Sequence, residues 1–237
     1  MRFRLEALGQ RPVWLSVDLD YWLSVDHPLE KVMESRMPMA LDFLHMLWRM
    51  GKSKGLSIPV TETHDQHLPI INQSGRDIPD LATLINVDYH SDLVTEQEVS
   101  TFPEANEGTW GTYVSWKWKP DSMFVWVRSC SLLYQGRCDI ECHDYRTPNF
   151  ASPTLAESCG WGELRSQASP TIQPEDLQVM NVVGAAVCLS PEYVHPTTLD
   201  NPELLTILDN LRALEGYSVL GPPPWETEVE KGKEVDG

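Results

Sequence analysis

Pro12-Val13-Trp14-Leu15-Ser16-Val17-Asp18-Leu19-Asp20-Tyr21-Trp22 is an apolar, β-rich run that ends in two acids. The pattern predicts a buried strand whose carboxyl end carries Asp18 and Asp20. Two more stretches have the same design. Leu56 to Thr61 reads as a short strand leading into Glu62-Thr63-His64-Asp65-Gln66-His67, and Ala82 to Val87 as a strand leading into Asp88-Tyr89-His90-Ser91-Asp92. Read as extended chain, alternate side chains point the same way, so Asp18 and Asp20 share one face, as do Asp88, His90 and Asp92. Strands that end in ligands are what a doubly wound α/β sheet requires, because its sites lie in the crevice beyond the carboxyl ends of the strands.

Outward from these runs, Leu29 to Arg49 places Val32, Met33, Leu41, Leu44, Leu47 and Trp48 at helical spacing, with Pro38 expected to kink or split the helix. Met123 to Arg128 and Val179 to Leu189 read as further strands, and Asn201 to Leu214 as a closing helix. The stretch 137–173 fits no element. Gly221-Pro222-Pro223-Pro224 opens a tail, 221–237, expected to be mobile. At 237 residues the chain has room for one medium-sized catalytic domain, read as 1–220.

The longest apolar run is too short to cross a bilayer, and the first residues lack a secretory apolar core, so a cytoplasmic protein is expected. The five cysteines are odd in number and form no C-x-x-C pair, which argues for reduced, structural thiols. A formal net charge of -17 disfavours nucleic acid and favours cationic ligands.

The chemistry concentrates in Asp18, Asp20, His64, Asp88, His90 and Asp92, with His67 as the alternate to His64. Hard carboxylate oxygens with a minority of imidazoles suit Mn²⁺, Mg²⁺ or Fe²⁺. Four carboxylates approximately neutralise two dications. Acids facing one another in a crevice would repel unless cations neutralised them, so the conjunction says more than any motif alone.

These residues resemble a known family. Ser16-Val17-Asp18-Leu19-Asp20 is similar to the S-x-D-x-D element of the arginase and agmatinase ureohydrolases, and Asp88-Tyr89-His90-Ser91-Asp92 to their D-A-H-x-D element. His64 matches the histidine of their G-G-D-H segment, without its glycine pair. Glu62 to Pro69 and Leu189-Ser190-Pro191-Glu192-Tyr193 resemble the peptide arginase branch, which converts arginine side chains of ribosomal precursor peptides to ornithine. The order of the two aspartate elements is reversed here, which implies a permuted connection of strands.

The resemblance implies a three-layer α/β/α fold of the arginase and deacetylase type with two Mn²⁺ per chain. Asp18 and Asp88 would bridge both ions, His64 and Asp92 would complete one, and Asp20 and His90 the other. The implied partner is an arginine-containing precursor peptide. Glu192, just past the strand that ends near Leu189, lies where arginases put a substrate-orienting acid, and Glu107 in Asn106-Glu107-Gly108-Thr109-Trp110-Gly111 is the second candidate. Trp110 is the candidate aromatic wall, and Trp116, Trp118, Trp126 and Trp161 could extend it into a groove.

Other readings are a haloacid dehalogenase-like phosphatase using Asp18 and Asp20, a single-zinc deacetylase-like amidohydrolase, and a non-catalytic module whose acidic face captures basic peptides. The phosphatase reading leaves Asp88 to Asp92 unexplained.

Overall fold

The computed structural model describes residues 12–74, 83–90, 92, 105–111, 123–128 and 174–214; for 72–74, 123–128 and 176 it describes the backbone alone. Its strands are β1 (Pro12–Asp18), β2 (Val60–Thr61), β3 (Thr83–Asp88), β4 (Met123–Arg128) and β5 (Asn181–Cys188). They form one sheet in the order β2-β5-β1-β3-β4, and each pairing is parallel. The helices are α1 (Asp20–Leu23), α2 (Leu29–Lys31), α3 (Met37–Lys54), α4 (His67–Ser74), α5 (Asp176–Val179), α6 (Pro196–Leu199) and α7 (Pro202–Arg212). The chain is therefore α/β, a parallel sheet with helices between its strands.

Strand alternation divides the side chains by destination. Val13, Leu15 and Val17 of β1, Ile85 and Val87 of β3, and Val182, Ala185 and Val187 of β5 join Ala40, Leu44 and Leu47 of α3 and Leu204, Leu208 and Leu211 of α7 in one core. The alternate residues, Trp14, Ser16 and Asp18, then Asn86 and Asp88, face the other way. His67, the first residue of α4, lies on that second face with its ring 6.0 Å from Trp14. A register shift opposite Val13 and Trp14 sets Gly184 against Trp14, where a Cβ would stand only 2.6 Å from the indole. Glycine is what lets the large ring lie flat on this face.

The helix termini follow from local chemistry. Asn201 caps α7 by accepting from the amides of Glu203 and Leu204, and Pro202 fills the first-turn position where no amide is needed. Gly55 ends α3 in the left-handed conformation.

The break expected at Pro38 takes the form of a π-helical turn, Val32–Arg36, which separates α2 from α3 just before the proline. Two expectations need correction. The strand expected from Leu56 is only Val60–Thr61, because Pro59 has no amide for the ladder and Ile58 turns into the core under Gly51. Neither aspartate motif is extended. β1 ends at Asp18 and Asp20 opens α1, while β3 ends at Asp88 and Asp92 has a φ of 53°, so turns rather than strand alternation bring the acids together. The tail 221–237, the stretch 137–173, Trp116, Trp118 and Trp161 lie outside the described residues, as does the side chain of Trp126. No helix of the described residues is long and apolar enough to cross a membrane.

Candidate metal centre

The central strands β1 and β3 are parallel neighbours in register, Val17 beside Val87, so their final residues Asp18 and Asp88 emerge side by side. The edge strand β2 brings up His64. After Thr61, the carbonyls of Thr61 and Glu62 accept from the amides of Leu189 and Ser190, which ties this loop to the end of β5. A 3-10 turn, His64–Gln66, then turns His64 inward.

His64 Nδ1 is the hub of one cluster: it lies 3.2 Å from Asp18 Oδ2, 3.1 Å from Asp88 Oδ2 and 2.8 Å from Asp92 Oδ2. All four groups are buried. Its other nitrogen, Nε2, lies 2.6 Å from Ser16 Oγ, which is 2.9 Å from His67 Nδ1. The consistent assignment has Nε2–H donating to Ser16 and the Ser16 hydroxyl donating to His67, which leaves Nδ1 to face the carboxylates. Between His64 and His67, the structure therefore brings His64 into the cluster and sets His67 one hydroxyl behind it.

Asp20, Asp88 and His90 form a second cluster. His90 Nδ1 lies 2.9 Å from Asp20 Oδ2, the Tyr89 amide donates to Asp20 Oδ1, and the His90 amide donates to Asp88 Oδ1. In each of the triads Asp18–His64–Asp88 and Asp20–Asp88–His90, ligand atoms lie within 4.8 Å of one another. Asp88 belongs to both. The first triad is fully buried, whereas the His90 side chain keeps 37% of its surface exposed, so the pair of clusters opens on the His90 side.

The electrostatics are those of crowded acids. Burial and then the charges of Asp18 and Asp88 push Asp20 well above the usual carboxylate range. Burial and the Asp92 charge raise Asp88 to about 7. Burial also pushes Asp18 up, but the His64 ring, the Ser190 hydroxyl and the Asp20 amide outweigh it and leave Asp18 below the ordinary value. Burial pulls His64 down, and the carboxylates of Asp92, Asp18 and Asp88 more than reverse it, so the imidazole holds its proton. Buried His67, beside that charge, falls well below the usual imidazole range. A cationic imidazole among three carboxylates shows what the position demands, a compact positive charge. The donor set of four carboxylates and two imidazoles is of the kind that hard or borderline divalent cations take.

The carboxylates are held from behind. Ser190 Oγ donates to Asp18 Oδ2, Asn86 Nδ2 to Asp88 Oδ2, and Trp110 Nε1 to Asp92 Oδ2. Such partners fix a ligand's orientation and raise its basicity. None of these roles was assigned from the sequence. Ser16 and Asn86 could have been found, since each stands two residues before a strand-end aspartate and must share its face. Ser190 and Trp110 carried no comparable signal.

Glu107 and Glu192 flank the open side. Glu192 is exposed in the turn after β5, between Ser190, which holds Asp18, and Tyr193, whose ring lies 5.3 Å from that of His90. Glu107 lies three residues before Trp110. Burial, followed by the charges of Glu192, Asp65 and Asp18, raises the Glu107 carboxyl, which sets the two glutamates within electrostatic reach of each other and of the cluster. Trp110, expected as an aromatic wall for substrate, is instead fully buried, 4.5 Å from the His64 ring. Its indole bonds Asp92, packs on His64 and offers no open face.

No protein-family model matches the chain, and no curated protein or solved structure matches it either.

Proposed function

We propose that this protein is a binuclear-metal hydrolase acting on a guanidinium group, a peptide arginase that converts arginine side chains of a precursor peptide to ornithine and urea. The observation that carries the reading is the pair of Asp/His triads sharing Asp88 at the carboxyl ends of parallel strands. It is supported by the likeness of Ser16 to Asp20 and of Asp88 to Asp92 to the ureohydrolase elements. Their reversed order is compatible with one site, because β1 and β3 are adjacent and parallel, so exchanging them along the chain leaves Asp18 beside Asp88. An arginase-like three-layer arrangement is the matching proposal for the fold.

Asp18, Asp20, His64, Asp88, His90 and Asp92 would hold two Mn²⁺ ions, with Asp88 common to both groups of ligands. When bound, the ions supply the Lewis acidity that activates water for attack on a planar carbon. The chain's own residues do the rest. Glu192, with Glu107 facing it, orients the planar guanidinium by charge-assisted hydrogen bonds, and the acidic rim draws a cationic side chain toward the opening beside His90. Ser16, Ser190, Asn86 and Trp110 hold the ligands in place while charge shifts across them.

The phosphatase reading needs Asp18 free as a nucleophile, but its carboxylate is buried and bonded to both His64 and Ser190. The test is to incubate the Mn²⁺-loaded protein with free arginine, agmatine and an arginine-containing peptide, assaying urea and product mass. The expected result is urea from the peptide and a loss of about 42 Da per modified arginine, the mass of urea less that of water. Phosphate release, deacetylation, or hydrolysis of free arginine alone would defeat the reading.

A further inference from the structure

Single apolar side chains on a surface mean little, but several gathered beside a candidate site mark a place for a partner. Among the described residues Val25, Leu29, Met33 and Tyr193 are 45%, 39%, 39% and 38% exposed, and they fall in two pairs joined along the chain by the short stretch 26–28. Leu29 and Met33 are one helical turn apart. The Val25 amide donates to the Tyr193 carbonyl at 2.8 Å, and Ser24 bridges Val194, so the start of the strip is fastened to the turn that carries Glu192. Tyr193 then meets His90, the ligand on the open side.

The charges beside the strip have one dominant sign. Asp26, Glu30 and Glu192 are exposed near it, and the one lysine among residues 24–34, Lys31, lies 3.6 Å from Glu34. An apolar surface edged with acids and ending at an acidic opening complements a peptide that carries apolar residues next to a basic one. Free arginine is too short to use it.

We propose that Val25, Leu29 and Met33, with Tyr193, form the docking strip for apolar residues flanking the target arginine of a peptide substrate. This rests on the reading of the site as acting on a peptide-borne guanidinium. It adds a sequence preference that the metal ligands cannot supply: a target arginine among apolar neighbours is taken before one among serines and glycines.

The test uses the full chain and two fluorescent synthetic peptides, each with a single arginine, one flanked by leucines and the other by serine and glycine. Fluorescence anisotropy is expected to show the leucine-flanked peptide binding about tenfold more tightly. The double variant Leu29→Ser, Met33→Ser should abolish that difference, and Leu29→Gln alone should remove part of it. Leu205→Ser, at an equally exposed leucine on α7, should leave it intact. Equal binding of the two peptides, or a preference that survives in a double variant with unchanged circular dichroism, overturns the proposal. So does a dimer in sedimentation that the same double variant dissolves, because the strip then serves a second copy of the chain. Urea measured in the same samples separates the two readings. Strip-dependent binding without urea removes the guanidinium chemistry alone; urea release with no flanking preference removes the strip alone.

Discussion

Trp110 donates its indole N–H to Asp92 while the same ring packs 4.5 Å from His64, so one buried side chain supports two members of the Asp/His cluster from different segments. Trp110→Phe keeps an aromatic ring and removes the donor. Mn²⁺ affinity is expected to fall about 10- to 100-fold, read by calorimetric titration. Unaltered affinity would mean that the hydrogen bond does nothing for Asp92.

Asp88 is the residue common to both triads. Wild-type protein reconstituted with Mn²⁺ should carry about two ions per chain by elemental analysis, and Asp88→Ala fewer than about one, with turnover abolished. A wild-type value that stays near zero sinks the metal centre.

Asp88 titrates near 7 in the folded, metal-free chain, against 3.8 for an ordinary aspartate, because of burial and then the Asp92 charge. The folded chain thus holds a proton that the unfolded chain gives up. This contribution to stability is complete below about pH 3.8 and is lost as pH rises through about 7. Raised His64 acts with the same sign at higher pH, whereas lowered Asp18 opposes it in acid. His27 and His67, pushed below the imidazole value of 6.5 by burial, work the other way until about pH 6.5, so metal-free protein should melt at lower temperature as pH climbs from about 6.5 to about 8, with Mn²⁺ restoring it. Metal-free Asp88→Asn, with no charge to bury, should melt above metal-free wild type at the upper end of that range. If it melts lower, the carboxylate is not the source of the strain.

Glu192 flanks the opening without belonging to either triad. Glu192→Gln should keep both cations and lose at least about tenfold in kcat/KM, the scale of one charge-assisted contact, roughly 1.4 kcal/mol. If Glu107→Gln is the damaging change and Glu192→Gln is silent, the orienting role passes to Glu107.

The parts of this arrangement that could be read from sequence are those written in short range. Apolar runs that stop at Asp18 and Asp88 announce strands with acids at their ends, because a buried strand cannot extend past a carboxylate without a partner for it. Long-range geometry is silent in the sequence. Ser190 meets Asp18 across 172 residues, and Trp110 finds Asp92 through a turn that no periodicity predicts. The sequence alone lets Trp110 be a wall for substrate or part of the interior, because its ring suits both; only the packing on His64 decides between them. The extended reading of the aspartate motifs failed for a related reason: alternation holds while the ladder lasts, and the ladder ends at the first acid of each.

β5 lies between β1 and β2, although β1 and β2 are made first. As the chain leaves the ribosome, the His64 loop has no amides of Leu189 and Ser190 to fasten it, and Asp18 has no Ser190 hydroxyl. Only when β5 inserts between β1 and β2 does the His64 loop gain the Leu189 and Ser190 amides and Asp18 the Ser190 hydroxyl, so the candidate site is completed from both ends of the described chain. A chain truncated before β5 would leave facing edges of β1 and β2 unpaired and Asp18 without its Ser190 partner, a state open to proteolysis and aggregation.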